Sequence, residues 1–197
     1  MKILLNISLF LILNSIAFSQ TKINYKLQHK ILAMFKTDQK WRIEALKLQD
    51  GKKSVYDENT IYNNMSIADS LNMIAAKLIV KKYGYPGYNL VGEKGSDSFW
   101  AIVQHCDDDI AFQQKVLLLM AKQVKRQNAS GEDFALLQDR VLVNTGQKQI
   151  YGTQLITDPI THITKTLPMR DSIHVDSLRK SVGLQSLKEY LKLFEQH

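Results

Sequence analysis

A single cysteine, Cys106, occurs in 197 residues, so no disulfide can form within the chain. The five histidines (29, 105, 162, 174 and 197) show neither HExxH-like nor paired spacing, so we expect no metal and no other cofactor. Neither a phosphate-cradling glycine loop nor a GxSxG nucleophile motif is present. Basic residues outnumber acidic ones 26 to 19, for a formal charge of +7. The lysines are scattered, however, at Lys52-Lys53, Lys81-Lys82, Lys122 and Lys125, without interleaved aromatics. That excludes the footprint of a nucleic-acid binder and suggests solvated helix faces. Repeats and low-complexity segments are missing too. Beyond residue 19 no long apolar run occurs, so no membrane span is expected after signal cleavage.

The first nineteen residues have the build of a secretory signal peptide. Lys2 supplies the positive start, and residues 3–18 are mostly apolar, broken at Asn6, Ser8, Asn14 and Ser15. Ala17-Phe18-Ser19 then sets small residues three and one before a cut ahead of Gln20. No cysteine sits at the cut, which argues against a lipoprotein anchor. The expected organisation is a signal peptide over 1–19 and a single domain over 20–197, periplasmic or secreted. The 178 residues of that domain are enough to bury a core unaided.

Apolar periodicity predicts a mainly α fold, one helical domain with one small β-hairpin. Residues 27–48 suit one or two amphipathic helices. Residues 67–83 form a strong helical pattern with Leu71, Ile74, Ala75, Leu78 and Ile79 inward and Gly84 as its stop. Tyr85-Pro86-Gly87 makes a turn, and a short helix follows over 96–106. The three acids at 107–109 are placed to cap a helix over 110–127, apolar around much of its girth and expected to be central. A further helix opens at Ser130 or Gly131 and runs through Gln138. The tail, 175–194, reads as two helices broken at Gly183.

The hairpin is expected between 141–143, a conventional apolar strand, and the unusually polar stretch QKQIYGTQL at 147–155, with Asn144-Thr145-Gly146 as the turn. In that register Gly152 faces Arg140 across a three-residue turn, or Asp139 across a two-residue one. A strand this polar either lines a cleft or forms a solvated edge.

Five segments in fixed order carry a resemblance: DQKWR at 38–42, GYPGYNLVG at 84–92, QHCDDDIAFQ at 104–113, LQDRV at 137–141 and GQKQIYGTQ at 146–154. Together they resemble the domain-of-unknown-function 6624 family from about Asp38 to Leu155, and the tail VDSLRKSVGLQSLKEY is similar too. The family brings no established activity. It implies which positions recur: Asp38, Gln39, Arg42, Gly84, Pro86, Gly92, Gln104, His105, Asp139, Arg140, Gln149, Tyr151, Gly152 and Gln154. Tyr85 stands where family members often carry tryptophan, which keeps an aromatic.

A recurring set this polar suggests a site. His105, at a helix C-terminus where the dipole favours its charged form, and Asp139 are the candidate acid–base pair. Arg140, Gln149, Tyr151, Gln154, Gln104, Asp38 and Arg42 are the candidate ligand-binding groups. Asp38 and Arg42, four apart on one helix face, equally suit a plain salt bridge. Three readings stay open: a binding module for a small polar ligand, glycan or peptide; an acid–base enzyme of hydrolase type; and a polar network without a ligand that fixes how the hairpin docks.

Overall fold

The computed structural model describes residues 22–194; the signal-like segment 1–19 lies outside them. The described residues form seven helices and one two-stranded antiparallel sheet, the mainly α architecture expected. The helices are α1 (Tyr25–Gln49), α2 (Glu58–Tyr83), α3 (Tyr88–Gln104), α4 (Ile110–Val124), α5 (Gly131–Asn144), α6 (Val175–Ser181) and α7 (Leu187–Lys192). The sheet pairs β1 (Leu155–Thr157) with β2 (Thr164–Thr166). Four of the first five helices open on a side-chain cap: Asn24, Asp57, Asp109 and Ser130 each accept a backbone N–H of the first turn. No helix among the described residues is long and apolar enough to cross a membrane.

The centre of the molecule is α3, which touches α1, α2, α4 and α5. Its Val91, Phe99, Ile102 and Val103 share one core with Ile31 of α1, Ile79 of α2, Val116 and Met120 of α4, and Leu137 of α5. The expected central helix, α4, buries one side only and leaves Leu118 exposed. α3 also begins eight residues earlier than its periodicity indicates. The stretch VGEKGSDS is helical, kinked at Gly92, whose φ of +70° suits glycine. The Gln28 side chain donates to the Val91 carbonyl at 2.8 Å beside that kink.

Two further expectations need correction. Residues 141–143 are the last turn of α5, because Leu137 and Val141, four apart, continue its buried face. The true hairpin lies downstream, in two three-residue segments, one of them led by Leu155 and Ile156, with half of their residues exposed. On α2 the inward face is Ile61, Ala68, Asn72, Ala76 and Ile79, whereas Leu71, Ile74 and Leu78 point to solvent. Ala68 and Ala76 alternate there with Ile61 and Ile79, where α1 and α3 both pack against this helix.

At the start of α5, burial and the nearby charges of Asp97 and Glu132 push the Asp133 carboxyl up to about 7. Its folded value exceeds the ordinary 3.8, so the folded state keeps the proton longer and loses stability as pH rises between these two values. Asp133→Asn should therefore gain on the order of 2 kcal/mol at pH 8 and almost nothing at pH 4. Urea melts at the two pH values check this; equal effects at both would contradict it.

Candidate functional site

Three helices meet around one buried carboxylate. Asp38, in the middle of α1, is 1% exposed. Its Oδ1 lies 2.8 Å from Nδ1 of His105, the C-cap residue of α3. Oδ2 accepts from Gln39 Nε2 at 2.8 Å, and Arg42 Nε reaches both oxygens at 3.3 Å. The Arg42 guanidinium continues to Asp69 of α2, with Nη2 2.6 Å from Oδ1. His105, Arg42 and Asp69 each keep between a fifth and a third of their side chains exposed. One buried anion thus holds a row of polar groups at the surface.

The two carboxyls of this cluster are driven apart. Burial works to raise Asp38, but the bond and charge of His105, with Arg42 and Gln39, outweigh it and hold the group below the usual carboxylate range. Burial raises Asp69 above its ordinary value, and Arg42 offsets only part of that. The two neighbouring acids thus shift in opposite directions, Asp38 down and Asp69 up. Asp38, Asp69 and His105 also bring one possible ligand atom each within 4.8 Å of one another. Arg42 already bonds both carboxylates, so a metal ion there would have to displace its guanidinium.

Arg140 is engaged two residues beyond His105. Its Nε donates to Asp107 Oδ1 at 2.9 Å and its Nη2 bonds Oδ2, while Asn144 Nδ2 meets Oδ1 at 3.0 Å. Buried Gln113 reaches the carbonyls of Val103 and Gln104 and the Asp107 carboxylate. It closes the last turn of α3 and so fixes where His105 points. Gln104 contributes its carbonyl here.

Asp139 does not meet His105. It is fully buried, and its oxygens are taken by the backbone N–H groups of Ile150, Tyr151 and Thr153 and by the Thr153 hydroxyl, at 2.7 to 3.1 Å. Buried Gln149 acts as a substitute peptide, accepting from Gln154 N and donating to the carbonyls of Gln154 and Leu167. On the far side Arg179, also fully buried, donates to the Tyr151 carbonyl at 2.7 Å and lies over the Tyr190 ring. The Tyr151 backbone is thereby held through its N–H by a buried anion and through its carbonyl by a buried cation. The polar stretch at 147–155 is a loop wound around a carboxylate.

The sequence profile of a family of unknown function (DUF6624) matches residues 25–197, well over half the chain. The chain belongs to this family. No curated protein and no solved structure matches it. Most of the polar residues singled out in the sequence fall by geometry into two sets. Asp38, Gln39, Arg42 and His105 form the surface cluster; Asp139, Gln149, Tyr151, Gly152 and Gln154 form the wound loop, with Arg140 tied to Asp107. Sequence reasoning missed Asp69, Asp107 as a partner for Arg140, and Arg179. Asp69 carries no motif; its only signal is that it sits next to the inward-facing Ala68.

Proposed function

We propose that this DUF6624 chain is an exported protein that binds a small polar ligand, a glycan or a peptide, at the surface around Asp38, Arg42, Asp69 and His105. His105 serves there as proton donor or acceptor. The observation that carries this reading is the 2.8 Å contact between Asp38 and His105 Nδ1. An ionised Asp38 selects the ring form with hydrogen on Nδ1, which leaves Nε2 as the acceptor in the neutral imidazole. No described residue bonds Nε2, so a hydroxyl or a water brought against it would be polarised, as hydrolase-type chemistry requires. Arg42 offers a positive edge for developing negative charge, and Gln39 a neutral amide. Export rests on Lys2, the apolar run and the small residues ahead of Gln20.

The wound loop carries a different reading, favoured by its burial. Asp139 and Gln149 are closed off from solvent and spend their polar atoms inside the chain, so this set is scaffold.

The protein recovered from its native host should begin at Gln20 by intact mass. Thermal-shift screening of that material against neutral oligosaccharides and short peptides should find stabilising compounds. Arg42→Ala and His105→Ala should each weaken such binding by at least about tenfold, roughly 1.4 kcal/mol. Compounds held equally well by both variants would contradict the site.

A further inference from the structure

Helices α1 and α3 leave a groove between them, of about 580 Å³, a size usual for small-ligand pockets. Its aromatic walls are Phe35 of α1 and Trp100 of α3, both half-buried against the core. Glu93 and Asp97, four apart and so neighbours on α3, line it together with Ala101. Ala101 is the small residue between Asp97 and His105, four positions from each. Phe35 likewise stands about one turn before Asp38. The groove therefore adjoins the candidate site on both helices.

Its far end is negative. Glu93 and Asp97 form no ion pair among the described residues. Burial first, and then the charge of Glu93, raises the Asp97 carboxyl above its ordinary value. Asp133, at the start of α5, feels the charge of Asp97 in turn. Three acids thus share one corner of a chain whose formal charge is +7. Lys94 also lines the groove, exposed and bonded to neither acid. The indole N–H of Trp100 is buried without an acceptor among the described residues, so the wall carries an unused donor as well.

We propose that this groove holds the basic side chain of a peptide whose backbone crosses His105. The aliphatic stem of a lysine or arginine packs against Phe35 and Trp100, and its charged end meets the ring faces and the carboxylates of Glu93 and Asp97. A metal ion would leave the aromatic walls unused, and a neutral sugar would leave the charge unanswered. Asp97 and His105 are eight residues apart, about 12 Å along the helix, a span of roughly three or four extended residues. The basic residue thus stands about that many positions from the group held at His105. This inference rests on the reading of the Asp38–His105 cluster as a ligand site and narrows its ligand to a peptide.

Isothermal titration calorimetry of the purified protein with two blocked tetrapeptides, three alanines followed by lysine or by norleucine, tests it. The lysine peptide should bind at least about tenfold tighter than its norleucine counterpart, which has the stem without the charge. Glu93→Gln combined with Asp97→Asn should remove that advantage without lowering the melting temperature. His105→Ala should weaken the lysine peptide and keep its advantage. A lysine peptide that fails to bind, or that binds no tighter than the norleucine one, would overturn the proposal. So would an advantage that survives the double substitution. Binding of a neutral oligosaccharide but not of the lysine peptide would also overturn it, while leaving the His105 site standing. An advantage lost in the double variant, with both affinities untouched by His105→Ala, would support the groove and contradict the site.

Discussion

Asp139→Ala should lower stability by about 3–5 kcal/mol, the cost of removing one member of a buried charged network. Three backbone N–H groups and the Thr153 hydroxyl converge on that carboxylate. Without it they are buried with nothing to accept from them, each a penalty of about 1–3 kcal/mol before the loop relaxes. Arg179 loses one of its two nearby acids at the same time, keeping Asp176. For a domain of this size each kcal/mol shifts the melting temperature by about 2–4 °C, so a fall of about 6–20 °C is expected. Asp139→Asn keeps one acceptor oxygen and should lose roughly half as much. A thermal melt of both variants reads the difference, and an Asp139→Ala protein melting within a degree or two of wild type would show the loop to be held by something else.

Gly152→Val is the second large effect, on the order of 3 kcal/mol. Gly152 has a φ of +69°, where a side chain costs about 1–2 kcal/mol from backbone crowding alone. An added Cβ would also stand 2.9 Å from Met169 Sδ and 3.2 Å from Leu187 Cδ1, and overpacking of that kind costs about 1–3 kcal/mol. Part of the clash is relieved by the flexible end of Met169. The exposed Lys148→Val is the control and should change stability by less than about 0.5 kcal/mol. Urea melts of the two proteins should therefore separate widely; equal midpoints would make the glycine incidental.

The sequence made Gly152 and Asp139 conspicuous and gave the wrong reason for both. Helices were legible because their caps and apolar periods act locally: Asp109, Ser130, Gly84 and the break at Gly183 all sit where chain chemistry puts them. The strand at 141–143 was misread because three apolar residues fit a strand and a helix end alike, and only the buried face through Leu137 decides between them. The tight array of donors around Asp139 was invisible because backbone N–H groups leave no mark in a sequence. For α2 the pattern placed Ile79 inward correctly but turned Leu71, Ile74 and Leu78 the wrong way, since large aliphatics normally face inward and here Ala68 and Ala76 take their place. His105 at a helix end was foreseen, and Asp38 was already a candidate. Their pairing was not, because they are 67 positions apart and belong to different helices.

We propose that the polar candidate residues divide into a closed scaffold around Asp139 and an open site around His105. Thermal melts of Asp139→Asn and His105→Ala, run beside wild type, test it most directly. Residues kept for function contribute little to stability, so His105→Ala should melt within about 1 kcal/mol of wild type or above it, whereas Asp139→Asn should lose about 2 kcal/mol. A His105→Ala protein destabilised as much as Asp139→Asn would contradict the division and make the Asp38 cluster scaffold as well.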